Sequence, residues 1–239
     1  MMNSDKRFSG LLGGGEYDLL KEALYFYDDL QRSVANVVSE ETKEDKKYSV
    51  LEIGVGSGIT TAFVLDGLKE PKNVSIFAID NEDKMLDEAK IRFSDAENVQ
   101  FINADIMEYL KTIPDEFFDG CYTGYVIHNF DFQLRKDLFK ELGRVTKKGG
   151  FFVSADKIVV NDPQEQEEIL NKEIALYENL VKIGRSEIKE EWIKHYAEDE
   201  LIKFTESEQQ KLLEENGFSG VNFIFRELMA AVVVAKKTI

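Results

Sequence analysis

The sequence has little material for disulfide or metal chemistry. Its 239 residues include one cysteine, Cys121, and two histidines, His128 and His195. A single thiol excludes an internal disulfide, and no Cys/His cluster has the spacing of a metal site. We therefore expect no metal in the functional site, where any cofactor is organic.

Long apolar runs and an excess of positive charge are also missing. No segment reaches the ~18 consecutive apolar residues of a membrane-spanning helix, and the start MMNSDKRFSG lacks the apolar stretch of a secretory signal. Lys and Arg number 30 against 46 Asp and Glu, and the resulting net charge of −16 repels phosphate backbones. We expect a cytoplasmic protein without membrane contact, and the charge argues against nucleic acid as a partner.

The sequence does contain ample material for a core. Hydrophobic residues make up 43% of it, including 17 Phe and 9 Tyr, which excludes disorder as the main state. At ~100–200 residues per domain, the length fits one domain with an elaborated insert.

The first part of the chain has a helical pattern. Apolar residues recur at three-to-four spacing from Glu16 to Ser39 and predict one amphipathic helix. The glycines of SGLLGGGEYD predict a loop or lid before that helix, and the charged run 40–47 predicts a solvated linker. Residues 1–47 are thus interpreted as an N-terminal lid and helix, and 48–239 as the main domain.

Five short apolar runs then alternate with helical patterns. The runs are YSVLEI, VSIFAI, VQFIN, FFDGCYT and FFVSA. Runs that are apolar on both faces and separated by helices are typical of successive βαβ units on a parallel sheet. The predicted class is a Rossmann-like, doubly wound α/β fold.

Two features interrupt or end this alternation. Residues 161–198 predict two helices, the first beginning at Asp162-Pro163 and ending at Gly184, which form an insert over the carboxyl edge of the sheet. After a capping box at Thr205 and Glu208, the runs VNFIF and LMAAVVVA are separated only by Arg226 and Glu227. So short a link predicts an antiparallel hairpin.

The segment VLEIGVGSG, from Val50 to Gly58, is the strongest functional signal. Its alternating glycines follow a strand and precede a helix, where a backbone can approach a nucleotide-like ligand closely. The spacing is one residue short of the dinucleotide fingerprint, and Glu52 precedes the first glycine. A carboxylate there suits a ligand that bears an ammonium and a sulfonium group rather than a pyrophosphate.

Carboxylates follow the next two strands. Asp80 ends VSIFAI, where it can accept hydrogen bonds from ribose hydroxyls, cap the following helix, or do both. The segment Asn103-Ala104-Asp105-Ile106 offers a carboxylate for an exocyclic amine and an aliphatic side chain for an adenine face, although Asp105 alone is equally typical of a helix cap.

Together, VLEIGVGSG, AIDN, NADI and FFDGCYT resemble the class I S-adenosylmethionine-dependent methyltransferases from about Tyr48 to the carboxyl terminus. The resemblance implies a seven-stranded sheet with a final antiparallel strand and S-adenosyl-L-methionine as cofactor. It implies that Glu52, Gly54 and Gly56 hold the methionine part of the cofactor and that Asp80 holds the ribose. Asp105 and Ile106 would hold the adenine. Thr123 would lie beside the sulfonium, on the loop after the fourth strand. Val55 and Asn81, which adjoin these residues in the sequence, are also expected to bind the cofactor.

DLQRSV, AIDN, SADK and the insert are also similar to the carboxy-S-adenosylmethionine synthases, which serve wobble-uridine modification in tRNA. That branch continues QRSV with P-G-Y, whereas this chain has Ala35-Asn36-Val37. The branch also uses an arginine in the insert, near which this chain has Lys194. These departures favour ordinary methyl transfer as the activity.

Several side chains are candidates for catalysis and acceptor binding. His128, in YVIHNF, follows the fourth strand and can act as a base near neutral pH, or can simply pack there. Arg32 is predicted either to reach the cofactor carboxylate or to form a surface salt bridge. The aromatic residues that could form a substrate cage, or simply belong to the core, are Tyr17, Tyr122, Tyr125 and Trp192.

The prediction is therefore S-adenosylmethionine-dependent methyl transfer to a small-molecule acceptor. Carboxy-S-adenosylmethionine synthesis is the alternative enzyme activity, and non-catalytic cofactor binding is the alternative of another class. The apolar residues of insert 161–198 are too few for a core of their own. We expect them to bury against the sheet edge and a second subunit, which predicts a homodimer.

Overall fold

A seven-stranded sheet runs through the centre of the fold. The computed structural model describes residues 19–43, 45–199 and 204–239, without the side chains of residues 197–199. The strands are β1 Tyr48–Ile53, β2 Val74–Asp80, β3 Val99–Asn103, β4 Phe118–Gly124, β5 Thr146–Lys157, β6 Phe218–Glu227 and β7 Ala230–Lys237.

The order of the strands is β3-β2-β1-β4-β5-β7-β6. Strands β1 to β5 pair in parallel, whereas β7 runs antiparallel to both β5 and β6. Two core clusters occupy the two faces: Val50 belongs to one and its neighbour Leu51 to the other. The predicted doubly wound, seven-stranded sheet is confirmed.

Helices cover both faces of this sheet. They are α1 Leu20–Ala23, α2 Tyr27–Glu41, α3 Ile59–Gly67, α4 Asp83–Arg92, α5 Ile106–Thr112, α6 Phe132–Val145, α7 Pro163–Leu176, α8 Glu178–Lys182, α9 Ser186–Asp199 and α10 Glu206–Glu215. Among the described residues, we find no helix with the length and apolar character needed to cross a membrane.

The predicted continuous helix from Glu16 to Ser39 is wrong within its described part. Leu24 leaves the helical region, with φ −99° and ψ 101°, and separates α1 from α2. Leu20 and Leu30 are buried on either side of the break. Because both pieces bury a face with the same spacing, periodicity alone does not reveal the change of direction.

The insert also contains a break that the pattern did not predict. Asp162 caps α7 as expected, since its Oδ1 accepts bonds from the backbone N–H groups of Gln164 and Glu165. The helix ends at Tyr177 instead of reaching Gly184, and α8 follows separately. The Tyr177 ring is buried and stacks on Trp192, with 6.0 Å between ring centroids, so a tertiary contact marks the break.

The closing hairpin is antiparallel as predicted, but its turn lies two residues later. Arg226 and Glu227 belong to β6 and pair with Ala231 and Ala230. The turn passes through Leu228, whose φ is +53°. The charged Arg226 side chain has partners although the residue belongs to a strand: Nη1 donates to the Ile158 carbonyl at 2.6 Å, and Nη2 pairs with Glu206.

Candidate functional site

A cavity opens at the carboxyl ends of β1, β2, β3 and β4. Its walls are the loop after β1, the residues at the end of β2, the start of α5, the loop after β4, and one face of α2. Of the predicted cofactor-binding residues, those that line it are Gly54, Val55, Gly56, Asp80, Asn81, Asp105 and Ile106. This edge is where ligands bind in doubly wound sheets.

The glycine loop after β1 forms the floor of the cavity. The backbone N–H groups of Gly54 and Val55 both donate to the Ile79 carbonyl, at 2.8 and 3.0 Å. A Cβ on Gly54, whose φ is +67°, would lie 2.4 Å from Val126 Cγ2. Gly54 is therefore required by packing. Gly56, with φ +54°, has only Met85 Cε nearby at 3.4 Å, so the space above it belongs to the cavity.

Asp80 connects the end of β2 to this loop. Its Oδ2 accepts a bond from the Gly56 N–H at 2.8 Å, and its Oδ1 accepts one from the Glu82 N–H at 2.9 Å at the start of α4. Burial raises the pKa of the Asp80 carboxyl. Glu82 is itself the N-cap of α4 and receives no side-chain cap bond, and the bond to Asp80 comes from this residue ahead of the helix, so the predicted helix cap is wrong. Because each carboxylate oxygen has a second lone pair, Asp80 can accept a bond from a ligand hydroxyl.

Asp105, at the end of β3, both caps a helix and lines the cavity. Its Oδ1 caps α5 by accepting bonds from the backbone N–H groups of Met107 and Glu108, at 2.8 and 3.0 Å. Asp105 and Ile106 both line the cavity, next to Ala104. A carboxylate and an aliphatic surface therefore lie side by side at this end.

Glu52 lies behind the cavity rather than in its wall. It is 1% exposed, and its Oε2 accepts bonds from the Thr61 hydroxyl at 2.7 Å and the Tyr122 hydroxyl at 2.8 Å. Its Oε1 is buried and accepts no bond from any side chain or backbone group in the described ranges. Burial raises the pKa of the Glu52 carboxyl to about 7, although the two hydrogen bonds favour the charged form and lower the pKa.

The raised pKa of Glu52 predicts a pH effect on stability. Between pH 4.5 and about 7 the folded chain holds a proton that the unfolded chain releases, so this group makes the free energy of unfolding fall as pH rises. A shift of this size corresponds to about 3 kcal/mol over the window. We expect the difference in unfolding free energy between the wild type and Glu52→Gln to change by that amount in urea titrations at pH 5 and pH 8. A constant difference would contradict the shift.

Besides Glu52, two predicted cofactor-binding residues lie outside the cavity wall. Thr123 belongs to β4 itself rather than to the loop after it, and its hydroxyl donates to the Ile53 carbonyl at 3.0 Å. Arg32 is exposed on α2, with its guanidinium 5.3 Å from the centroid of the Phe63 ring. Helical rotation places Arg32 on the solvent side, because successive residues project about 100° apart.

The same helix contributes two lining residues that the sequence pattern did not indicate. Tyr27 and Gln31, four residues apart and on one face, both line the cavity. The Tyr27 ring lies parallel to that of Tyr125, with 6.0 Å between centroids. Tyr125 follows β4 and has φ +58°, a conformation that tyrosine rarely adopts. Helical spacing alone predicts that this face of α2 packs in the core, so the sequence does not indicate that the face also lines the cavity.

His128 is placed one layer behind the cavity wall. Its Nδ1 lies 2.5 Å from Asp156 Oδ1, and its backbone N–H donates to Asp156 Oδ2 at 3.2 Å. The ring meets those of Tyr125 and His195 edge to face, each at 6.3 Å. The sequence indicated neither Asp156 nor His195 as a neighbour, because β5 and α9 are brought to His128 only by the fold.

The predicted aromatic cage is not assembled in the described part of the chain. Tyr125 lines the cavity, whereas Tyr122 is bonded to Glu52, and Trp192 is buried within the insert beside Tyr177. Tyr17 lies outside the described residues. Trp192 instead faces Lys157, whose Nζ is 5.5 Å from the ring centroid.

Comparison with known proteins gives three results. Residues 50–150 match the family described as "Methyltransferase domain". The carboxy-S-adenosyl-L-methionine synthase of Nautilia profundicola is 23% identical over 228 residues, covering 92% of this chain and 89% of that protein. The crystal structure of the CurJ carbon methyltransferase aligns with a TM-score of 0.71 at 15% identity, covering 100% of this chain and 62% of that one.

A further solved structure, human N-acetylserotonin methyltransferase in complex with SAM, aligns with a TM-score of 0.63 at 15% identity. That alignment covers 99% of this chain and 57% of the human chain. This chain therefore spans less than two thirds of either solved structure. What it has in common with both is the fold.

Proposed function

We propose that this chain transfers a methyl group from S-adenosylmethionine to a small-molecule acceptor, because residues 50–150 match the family described as "Methyltransferase domain". The observation that carries the proposal is the order of groups along the cavity. Asp105 and Ile106 lie at the end of β3, Asp80 at β2, the glycine loop at β1, and Tyr125 after β4.

This order fits the cofactor from one end to the other. Asp105 and Ile106 would hold the adenine, and Asp80 with Asn81 the ribose hydroxyls. The loop Gly54–Gly56 would hold the methionine part, since the open space above Gly56 is the volume that a side chain would fill. The residues present thus suit an adenosyl ligand that carries an amino acid.

When bound, S-adenosylmethionine supplies a methyl group activated by a sulfonium sulfur. The protein's contribution is to align the acceptor with that methyl group and to exclude water, and such orientation can contribute up to ~7–11 kcal/mol. Tyr27 and Tyr125 form the wall nearest to the end of β4 and would orient the acceptor.

We propose that His128 is the base that accepts the proton which the acceptor nucleophile loses. Asp156 fixes the imidazole through Nδ1, which directs the second ring nitrogen away from Asp156. Tyr125 lines the cavity and its ring meets that of His128 edge to face, whereas His128 is not one of the lining residues. For His128 to reach an acceptor, the acceptor must therefore approach it past the residues that line the cavity.

The test is a calorimetric titration of the purified chain with S-adenosylmethionine, S-adenosylhomocysteine and NAD. We expect the first two ligands to bind and NAD not to bind, because the loop is too short for the dinucleotide pattern and Glu52 lies behind it. Preferential binding of NAD would overturn the proposed function.

Carboxy-S-adenosylmethionine synthesis is the second candidate, because the alignment with a synthase of that name extends over 92% of this chain. Against it, Lys194 is exposed, pairs with Glu191 at 2.6 Å, and is not one of the residues that line the cavity. Intact mass spectrometry of the nucleoside that co-purifies distinguishes the two activities, since carboxylation adds the mass of one carboxylate. Tight cofactor binding without turnover across a broad acceptor panel would instead indicate a non-catalytic binding protein.

The homodimer and the cytoplasmic location remain proposals. The insert exposes Val181, Ile183 and Ile193, which are 41%, 50% and 37% exposed. These exposed apolar side chains support the prediction that the insert contacts a second subunit. In the structure, the insert also covers the N-terminal helices, since Asn179 Nδ2 donates to the Ala23 carbonyl at 3.4 Å.

A further inference from the structure

Gln31 is a polar side chain in an apolar setting. It is 1% exposed, and its neighbours Leu30, Val34 and Ala35 are buried core residues. Its Oε1 accepts no hydrogen bond from any group in the described ranges. A buried carbonyl oxygen without a donor costs free energy that an apolar residue of the same size would avoid. The position therefore calls for a donor that the described residues do not supply.

The place of Gln31 in the cavity indicates where that donor comes from. Gln31 Oε1 lies 3.5 Å from the point that a Cβ on Gly124 would occupy, and Thr60 Oγ1 lies 2.3 Å from the same point. Gly124, Thr60 and Gln31 all line the cavity at the end of β4. Since Asp105 and Asp80 occupy the β3 and β2 ends, this is the end opposite to the adenosine.

We propose that Gln31 binds the α-ammonium group of the cofactor, which makes helix α2 part of the cofactor site. This inference rests on the proposed function and adds to it a residue for the amino-acid end of the ligand. An ammonium group offers three donors and no acceptor, which matches an amide oxygen that has no donor.

The charge of the surroundings points to a cation as well. The Asp80 carboxylate stands beside the glycine loop, and Oε1 of Glu52, buried behind that loop, is a further acceptor without a donor in the described ranges. Across the described lining of the cavity there is no Lys or Arg side chain to hold a carboxylate at this end. A positive group is therefore favoured over a negative one beside Gln31.

The experiment compares two ligands that differ by the amino-acid part. We expect Gln31→Met, which retains side-chain length and removes the acceptor, to weaken S-adenosylhomocysteine at least tenfold, as the loss of a bond to a charged donor does. Binding of 5′-methylthioadenosine, which has no ammonium group, is expected to stay within about twofold. The apo variant should unfold at the wild-type temperature or above it, because the unpartnered oxygen is gone. Calorimetry measures the two affinities, and thermal unfolding measures the stability of the apo variant.

Two further variants make the outcome decisive. Gln31→Glu is expected to retain S-adenosylhomocysteine binding, since a carboxylate also accepts from an ammonium group, and Gln133→Met provides the same exchange at an exposed site outside the cavity. Equal losses for both ligands, no loss for either, or a Gln31→Glu protein as weak as Gln31→Met would overturn the assignment of Gln31 alone. A wild type that binds neither ligand would overturn the proposed function together with it.

Discussion

A Gly56→Val protein is expected to lose more than about 100-fold in affinity for S-adenosylmethionine while remaining folded. The valine side chain would stand in the open space above the glycine loop, where a Cβ meets only Met85 Cε at 3.4 Å. The fold can thus accommodate the side chain, but the ligand cannot share the volume. Backbone strain at φ +54° adds a destabilisation of about 1–2 kcal/mol.

Gly149→Val is the matched control for this strain. Gly149 has φ +80° in the described structure and nothing within 4 Å of an added Cβ, and it is exposed in β5 outside the cavity wall. Both variants should lose similar stability in urea titrations, whereas only Gly56→Val should lose cofactor affinity in calorimetry. Wild-type affinity in Gly56→Val would show that the glycine loop serves the turn and not a ligand.

The second large effect is expected at Asp156. This buried carboxylate accepts bonds from the His128 ring and from the backbone N–H groups of His128 and Lys157. An alanine would leave these buried donors without their acceptor, so we expect Asp156→Ala to lower the free energy of unfolding by about 3–5 kcal/mol. Chemical denaturation at a fixed pH measures it.

Asp115→Ala provides the comparison for Asp156→Ala. Asp115 pairs with Arg144 at 2.8 Å, but its side chain is 76% exposed, and surface ion pairs contribute only ~0–1 kcal/mol. A loss at Asp156 no larger than that at Asp115 would mean that water or a rearranged backbone replaces the carboxylate, and that the His128–Asp156 contact does not organise the end of β5.

The catalytic role of His128 is tested separately from this structural role. With an acceptor found by screening, His128→Gln is expected to reduce the rate of methyl transfer ~10²–10⁴-fold. Cofactor affinity should be unchanged, because His128 lies behind the cavity wall. An unchanged rate of methyl transfer would make His128 a packing residue.

The sequence by itself determined the elements whose signals are local. Buried parallel strands read as short apolar runs, and all five appear where they were predicted. The capping box of Thr205 and Glu208 is present because a cap needs only residues three apart. The same holds for the lining positions Gly56, Asp80 and Asp105, since a residue that follows a parallel strand reaches the carboxyl edge of the sheet wherever the other strands lie.

Only the tertiary structure decided which distant groups meet. Periodicity predicts that a face of α2 is buried but not what covers it, so the sequence does not distinguish Gln31 from a core residue. The sequence instead favoured its neighbour Arg32 because of its charge, and Arg32 is exposed. Asp156 reaches His128 because β5 pairs with β4, and Thr123 turns its hydroxyl to Ile53 because β4 pairs with β1. Contacts between elements depend on sheet order and on the rotation of each helix, and neither is encoded within the short window that a motif spans.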